Sequence, residues 1–400
     1  MDAGSLIEAI DARAPEALER HGVSGLTVGV RASGEDVLRA YGGARPETAF
    51  RVASITKPLV AALALRLVEE GRLALDEPIA GLRLPWDGIT LRHLLSHQGG
   101  LACDWPRSLD EYGEGDDALR RLAAEEAMGG PVGPGELFSY SNLGYWLAGA
   151  VIERAAGAGF EDALQRLVLG PLGMERTDFS PSEPFVPGTR PYPRARRPAG
   201  GLYSCAGDLL RFARHLLGGP GPLAPDSLRE IQAPQVAHDP AGDYGLGLFL
   251  WRGRGRPTIE HGGMVHGFRS LLVLVPAEDA AVVLLAAGDL GRLVVEELLQ
   301  AVDLGLKLPA EVSVAHERLS SLAATYRDPL GAVVVVTVRE GGLDLAGDES
   351  DGAGPFSVHL RPAAAEWFVG RDGDDCGESA DFPRGGELLR YGWLFERVAD

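Results

Sequence analysis

A Ser-x-x-Lys pattern at the start of an apolar helix is the feature that most constrains this chain. Ser54 and Lys57 are three residues apart, and the residues that follow, as far as about Glu70, are apolar nearly all round. Such a segment predicts a buried helix with Ser54 and Lys57 on one face near its N-terminus. A helix N-terminus also offers unpaired N–H groups and a positive dipole end to a developing oxyanion. The fold is therefore expected to desolvate a lysine beside a serine hydroxyl.

Lysine and asparagine are almost absent from the 400-residue chain, and those that remain lie at chemically useful positions. Of the 38 basic residues only Lys57 and Lys307 are lysine, and the single asparagine is Asn142, two residues after Tyr140. A GC-rich coding sequence explains the scarcity but not the positions, and Lys307 is typical of a helix end. Because a desolvated lysine can act as a base and arginine cannot, the pattern around Ser54 indicates an active-site serine.

Length and charge limit the classes of function. Four hundred residues exceed the usual ceiling for one hydrophobic core, which predicts two domains. The net charge of −19 argues against nucleic acid and anionic membranes as partners. The first 21 residues carry five acidic side chains, so they predict a surface helix rather than a secretory signal. Three widely spaced cysteines, Cys103, Cys205 and Cys376, predict free thiols in the cytoplasm and no metal site.

Apolar periodicity predicts a mixed α/β domain. Four runs predict antiparallel strands, at 25–31, 37–41, 270–275 and 281–285. Five patterns beyond the Ser54 segment predict helices, at 90–97, 116–128, 141–156, 204–217 and 291–306. The stretches 99–115 and 181–200 are rich in Gly, Pro and charge and predict long loops. We expect an antiparallel sheet flanked by helices, with a helical insert between its strands.

The composition changes after residue 309. Residues 316–398 hold short alternating runs separated by Gly/Asp-rich turns, which is typical of a small β barrel. The expected division is a hydrolase domain over 1–308, a linker over 309–315 and an all-β domain over 316–400.

Three ordered motifs carry a family resemblance. Ser54-Ile55-Thr56-Lys57 is followed by Tyr140-Ser141-Asn142 and then by His261-Gly262-Gly263. With the segments that connect them, these motifs make the chain resemble the serine β-lactamase and penicillin-binding-protein superfamily, on its class C β-lactamase and esterase side. The resemblance covers roughly residues 20–305 and implies the β-lactamase/transpeptidase-like fold. The β-rich C-terminal region loosely resembles the lipocalin-like domains appended to some of these enzymes.

The resemblance implies a role for each catalytic position. Ser54 would be the nucleophile and Lys57 a base of lowered pKa. Tyr140 would shuttle a proton to the leaving group, and the choice of Lys57 or Tyr140 as the general base stays open. Asn142 would orient Lys57 and the substrate amide. The oxyanion hole would combine the backbone N–H groups of Ser54 and Met264.

Further substrate contacts are expected around the third motif and in the 99–115 loop. Gly262 and Gly263 would line the substrate site, and Trp105 and Tyr112 would line the acyl pocket. His261 replaces the lysine of true β-lactamases and DD-peptidases. A histidine that titrates near pH 6.5 is not a permanent cation, which weakens the case for efficient β-lactam hydrolysis.

Other polar residues leave alternatives open. His97 and His266 could act in the site, although structural hydrogen bonding suits both. A cluster of arginines could grip a substrate carboxylate or belong to a solvated loop; its members are Arg190, Arg194, Arg196 and Arg197.

The favoured function is hydrolysis of small esters, amides or D-residue-containing peptides through an acyl-enzyme on Ser54. The alternatives are an acyltransferase or peptide cyclase of the penicillin-binding-protein-type thioesterase kind, a weak β-lactamase, and a non-catalytic scaffold that kept the fold. No metal or organic cofactor is expected. The β-rich domain could cap the cleft, bind a hydrophobic group or mediate a homo-oligomer.

Overall fold

The chain forms a long antiparallel sheet and a separate barrel. The computed structural model describes residues 2–105, 108–181, 183–186, 192–348, 355–371 and 378–399. The strands of the first part are β1 (Gly25–Ala32), β2 (Glu35–Gly42), β3 (Phe50–Arg51), β4 (Tyr203–Ser204), β5 (Val236–Asp239), β6 (Gly242–Tyr244), β7 (Phe249–Trp251), β8 (Thr258–Val265), β9 (Phe268–Val275) and β10 (Ala280–Ala287). Eight of them form one sheet in the order β2-β1-β10-β9-β8-β7-β6-β5, and β3 pairs with β4. All the pairings in this sheet are antiparallel, as predicted.

Helices cover both faces of the sheet. Their bounds are α1 (Ala3–Asp11), α2 (Ala14–His21), α3 (Thr56–Glu69), α4 (Leu91–Leu95), α5 (Ala118–Ala123), α6 (Asn142–Ala156), α7 (Phe160–Leu164), α8 (Gly170–Leu172), α9 (Arg197–Gly200), α10 (Ala206–Leu216), α11 (Pro225–Ile231), α12 (Gly291–Ala301) and α13 (His316–Leu322). Most of them lie between β2 and β5 in the chain, which confirms the predicted helical insert.

Strand alternation divides the apolar side chains between two cores. Successive side chains of a strand point to opposite faces of its sheet. Val282 and Leu284 of β10 therefore pack with α1, α2 and α12, whereas Val283 and Leu285 pack against the helices of the insert. Helix α3 lies inside the second core except at its C-terminal turn, so Lys57 is buried among apolar residues. The predicted α/β fold of the β-lactamase/transpeptidase type is confirmed.

The C-terminal strands close into a barrel. They are β11 (Thr325–Arg327), β12 (Val333–Arg339), β13 (Gly342–Asp348), β14 (Pro355–Ala364), β15 (Trp367–Gly370), β16 (Ser379–Asp381), β17 (Leu388–Tyr391) and β18 (Trp393–Arg397). Buried side chains such as Tyr326, Phe368 and Phe382 form its core. The predicted all-β barrel is confirmed, and its interior is packed with its own side chains.

Several helices are shorter than their sequence patterns predict. The patterns at 116–128 and 291–306 give only α5 and α12. Apolar residues beyond α12 remain buried in non-helical backbone, since Asp303 has a φ of 55° and Leu304 is still in the core. The predicted helix was too long because the apolar pattern reports burial, which continues beyond the last helical residue. The expected domain boundaries at 308 and 316 stay a prediction. Within the described residues, no helix has the length and apolar character that crossing a membrane requires.

Candidate active site

Ser54 lies in a strained turn just before α3. Residues Ala53–Ile55 form one 3₁₀ turn, and Ala53 has a φ of 44°, which is unusual for a residue with a side chain. The Thr56 hydroxyl donates to the Ala53 carbonyl at 2.7 Å and accepts the N–H of Leu202 at 3.2 Å. These bonds hold the turn against the insert, so the strain is compatible with a fixed position for Ser54.

Lys57 is fully buried, and three oxygen atoms surround its amine. Nζ lies 3.0 Å from Ser54 Oγ, 2.9 Å from Asn142 Oδ1 and 2.7 Å from the Ala199 carbonyl oxygen. Burial lowers the pKa of Lys57 well below its usual value, while the more distant Asp104 carboxylate opposes the shift. The two carbonyl oxygens can accept both N–H groups of a neutral amine, and the nitrogen lone pair is then free to accept the Ser54 hydroxyl proton.

Tyr140 and Asn142 lie at the N-terminus of α6. Tyr140 is half-buried in the cavity wall, desolvation raises the pKa of its phenol, and it hydrogen-bonds to Ser54. Its ring centre lies 4.8 Å from Lys57 Nζ. The Asn142 side chain bridges two groups, because Oδ1 accepts from Lys57 and Nδ2 donates to Asp104 Oδ2 at 3.4 Å. The structure thus brings the first two predicted motifs into one hydrogen-bonded group.

The third motif lies on β8 beside the Ser54 turn. A Cβ at Gly263 would meet the Val52 carbonyl oxygen at 2.1 Å and Ser270 Oγ at 2.4 Å, so only glycine permits this approach. Gly262 lines the cavity next to Ser54, and so does Met264, whose side chain is 66% exposed. The predicted oxyanion role of the Ser54 and Met264 N–H groups stays a prediction, and this placement of β8 is compatible with it.

His261 is buried and neutral. Its Nδ1 hydrogen-bonds to the Gly262 carbonyl oxygen at 2.6 Å, so Nε2 can accept the Tyr244 hydroxyl at 3.2 Å. Burial lowers the pKa of His261 to about 3. The expectation that His261 titrates near pH 6.5 is therefore wrong, because the sequence did not reveal the desolvation. The conclusion that it provides no permanent cation becomes stronger.

A cavity of about 620 Å³ opens above these residues. The hydrolase part contributes Ser54, Cys103, Asp104, Phe138, Tyr140, Asn142, His238, Asp239, Phe249, Trp251, Arg254, Glu260, His261, Gly262, Met264, Arg269, Leu271, Arg292, Val295, Glu296 and Leu306. The barrel contributes Glu378, Ser379, Asp381, Arg390, Gly392 and Trp393. The barrel therefore forms one wall of the cavity, which agrees with capping of the cleft, one of the three roles that the sequence left open for this domain.

Arg269 is a largely buried cation in that wall, without an ionic partner in the described part of the chain. It lies on β9 opposite Met264, and one of its terminal nitrogens is 3.6 Å from where a Cβ on Gly262 would be. Its Nε has no hydrogen-bond partner. Burial and the nearby Arg292 lower the pKa of its guanidinium, because both disfavour the charged form. An anion in the cavity would compensate this charge.

Two predicted substrate contacts are not brought to the cavity. Trp105 and Tyr112 are both less than 10% exposed and pack in the hydrophobic core of the insert. Neither belongs to the described cavity wall, which instead contains their neighbours Cys103 and Asp104. The expectation that these rings line the acyl pocket is wrong, because loop composition does not indicate which way a side chain points.

Two members of the arginine cluster, Arg194 and Arg197, belong to an ion-pair network rather than to a substrate grip or a solvated loop. Arg194 is buried and pairs with Glu153, Glu161 and Asp116. Arg197 also pairs with Glu161. Arg190 lies outside the described residues. Among those described, none of the cluster lines the cavity.

His97 and His266, whose roles the sequence left open, differ in burial and in their contacts. His97 is buried, with a φ of 58°, and its Nδ1 accepts the N–H of Ser141 at 3.0 Å. Its ring centre lies 4.2 Å from that of Tyr140, so it supports the second motif structurally. His266 is exposed near Asp289 and does not belong to the described cavity wall. Among the described residues, no group of three or more His, Cys, Asp or Glu side chains is placed to hold a metal.

The fold and this site define a serine hydrolase of the Ser-x-x-Lys type. Residues 10–305 match the family model described as Beta-lactamase, so the chain belongs to the beta-lactamase family. Among curated relatives, penicillin-binding protein 4 of Amycolatopsis lactamdurans is 30% identical over 340 residues, which covers 72% of this chain and 86% of that protein. Esterase EstB of Burkholderia gladioli is 36% identical over 217 residues, covering 46% of this chain and 54% of that protein.

A solved structure extends the similarity to the barrel. The crystal structure of SurE with D-Leu is 28% identical, with a TM-score of 0.76, and the match covers 99% of this chain and 100% of that one. The two-part architecture is thus shared with SurE over its whole length.

Proposed function

We propose that this hydrolase works through an acyl-enzyme on Ser54 and acts on small esters, amides or D-residue-containing peptides. The observation that carries the proposal is the position of the Lys57 amine, 3.0 Å from Ser54 Oγ and buried away from water. A general base must lie about 2.6–3.2 Å from the proton-bearing atom and have a pKa near the working pH. Lys57 meets the first condition, and its lowered pKa supports the second.

Lys57, rather than Tyr140, is the proposed general base. Burial shifts the two pKa values in opposite directions, lowering that of Lys57 and raising that of Tyr140. A neutral amine can accept the Ser54 proton, whereas a neutral phenol is a poor base. Tyr140, within hydrogen-bond reach of Ser54, donates its proton to the leaving group and is reprotonated by Lys57, which returns the proton that it took from Ser54, while the Ser54 and Met264 N–H groups stabilise the oxyanion. Water hydrolyses the resulting ester of Ser54.

The proposed substrate range follows from the shape and charge of the cavity and from the relatives. A cavity of about 620 Å³ is compatible with a small acyl group together with its leaving group. The similarity to an esterase and to a structure solved with D-Leu supports esters and D-residues. Neutral His261 argues against efficient β-lactam turnover. No cofactor enters the scheme, and a homo-oligomer and a cytoplasmic location stay part of the proposal.

Acyl transfer to an amine is the second candidate. The barrel wall over the cavity and the whole-length similarity to SurE, solved with D-Leu, favour an amino-acid or peptide amine as the acyl acceptor in place of water. The two candidates share the Ser54 acyl-enzyme and differ only in the acceptor.

The test is steady-state hydrolysis of p-nitrophenyl butyrate and of D-leucine p-nitroanilide by wild type and Ser54→Ala. The proposal expects turnover in the wild type and a loss of at least about 10³-fold in the variant. Equal rates in the two proteins would contradict it. A peptidyl thioester offered together with D-leucine separates the candidates, since only acyl transfer yields an amide of D-leucine.

A further inference from the structure

The C-terminal barrel contacts the backbone of the segment that carries Tyr140 and Asn142. We propose that the barrel is a working part of the active site, in which Asp328 and the turn between β17 and β18 position Tyr140 and Asn142. This inference rests on the proposed function, because it concerns the residues that assist Ser54. It gives the barrel a role in catalysis beyond forming a wall.

The β17–β18 turn bonds directly to the tyrosine segment. The N–H of Tyr140 donates to the Gly392 carbonyl oxygen at 3.4 Å, and the N–H of Leu394 donates to Ser139 Oγ at 3.3 Å. Gly392 has a φ of 76°, a conformation that glycine adopts at little cost. The turn thus presents its carbonyl oxygen to the backbone of the proposed proton shuttle.

Among the described residues, the hydrolase part bonds in this way to the backbone of the two neighbours of Tyr140 and not to its N–H. The N–H of Ser139 donates to the His97 carbonyl oxygen at 2.9 Å, and the N–H of Ser141 donates to His97 Nδ1 at 3.0 Å. The N–H of Tyr140, between them, points to the barrel. Undocking of the barrel would replace this fixed acceptor by mobile water, so the backbone of Tyr140 would be held less firmly.

Asp328 connects the barrel to the asparagine. Its side chain is buried, and Oδ1 accepts two N–H groups of its own loop at 2.9 and 2.8 Å. Oδ2 accepts the Trp393 indole N–H at 3.2 Å and the Cys103 thiol at 3.8 Å. The Cys103 carbonyl oxygen in turn accepts the N–H of Asn142 at 2.7 Å. The Asp328 carboxylate of the barrel therefore bonds to Trp393, a wall residue of the cavity, and to Cys103, whose carbonyl oxygen accepts the N–H of Asn142.

Apolar and ionic contacts keep the two parts together. Leu388 and Leu394 of the barrel form a buried cluster with Val132 of the hydrolase part. Arg384 of the barrel pairs with Glu136, in the segment that leads to Tyr140. These contacts dock the barrel beside the segment that carries Tyr140 and Asn142. A change at this interface is therefore expected to lower kcat and not only the stability of the protein.

The test uses the full chain with Ser139→Ala and Asp328→Asn, which each remove acceptors from the interface. Ser204→Ala is the matched control, because Ser204 is an equally buried hydroxyl that bonds Thr177 away from the barrel. Ser139→Thr keeps the acceptor and serves as the conservative rescue. We measure kcat and KM for p-nitrophenyl butyrate together with the unfolding temperature, and Asp328→Asn alone decides if Ser139→Ala fails to fold.

Because small misplacements of reacting groups can cost about 100-fold, we expect kcat to fall about 10-fold in both test variants. KM should change less than kcat, and Ser139→Thr should restore the rate. Values of kcat within about twofold of the Ser204→Ala control would overturn the inference. Failure of the proposed function is distinguishable, since it would show as full activity of Ser54→Ala.

Discussion

The amine nitrogen of Lys57 lies 3.0 Å from the hydroxyl oxygen of Ser54, and both of its remaining contacts are to carbonyl oxygens, of Asn142 and Ala199. Carbonyl oxygens accept N–H groups but cannot donate a proton to the amine. The two carbonyl oxygens can accept both N–H groups of a neutral amine, and burial, which lowers the pKa of Lys57, favours that form, with its lone pair facing the serine.

Replacement of Lys57 is expected to abolish acylation. Lys57→Met removes the base but retains an unbranched side chain, and kcat/KM for p-nitrophenyl butyrate should fall by about 10²–10⁴-fold. Lys57→Arg should be no better, because a guanidinium keeps its proton near neutral pH. Substantial recovery of activity in Lys57→Arg, measured by the same assay, would argue that Lys57 serves as a fixed positive charge instead.

The pH dependence should show an acidic limb that belongs to Lys57. Its lowered folded-state pKa keeps the amine neutral and active at higher pH, and acidification protonates it, so kcat/KM should rise with pH and then level off. His261, with a pKa of about 3, is already neutral near neutral pH and is not expected to contribute this limb. A pH profile of His261→Gln should therefore keep its inflection at the wild-type pH. An inflection that disappears with His261 would assign the titration to the histidine.

Arg269 should determine the preference for substrates that carry a carboxylate. Its guanidinium lines the cavity without an ion pair among the described residues, and a bound carboxylate would supply one. We expect wild type to favour a D-peptide with a free C-terminus over the matched peptide amide, and Arg269→Gln to reduce that ratio of kcat/KM values about 10-fold. A ratio that Arg269→Gln leaves unaltered would mean that the cation serves another purpose.

The local part of the site was predictable and the tertiary part was not. Ser54 and Lys57 occupy one helical turn, so their contact follows from spacing alone, and the order of the three motifs indicated which fold brings Asn142 to them. The direction of a loop side chain has no such signal, and Trp105 and Tyr112 were misplaced for that reason. Asp104 precedes Trp105 in the 99–115 loop, which was expected to reach the acyl pocket, so it could have been suspected as a polar residue of the cleft.

Contacts between distant segments depend on how the barrel docks. Cys103 and Asp328 are 225 positions apart, and the sequence pattern around Asp328 indicates only a turn between strands. Likewise the burial that lowers the pKa of His261 arises from the β-sheet and rings packed around it, such as Tyr244 and Phe249. Periodicity predicted the barrel, but it contained no information about which face of the barrel meets the cleft.

The covalent intermediate tests the central claim most directly. Wild type and Ser54→Ala are mixed with p-nitrophenyl butyrate, quenched in acid within the first turnovers and analysed by intact-mass and peptide mass spectrometry. The account predicts a butyryl adduct, about 70 Da heavier, on the peptide that contains Ser54 in the wild type and no adduct in the variant. An adduct on another residue, or catalytic turnover that persists in Ser54→Ala, would contradict it.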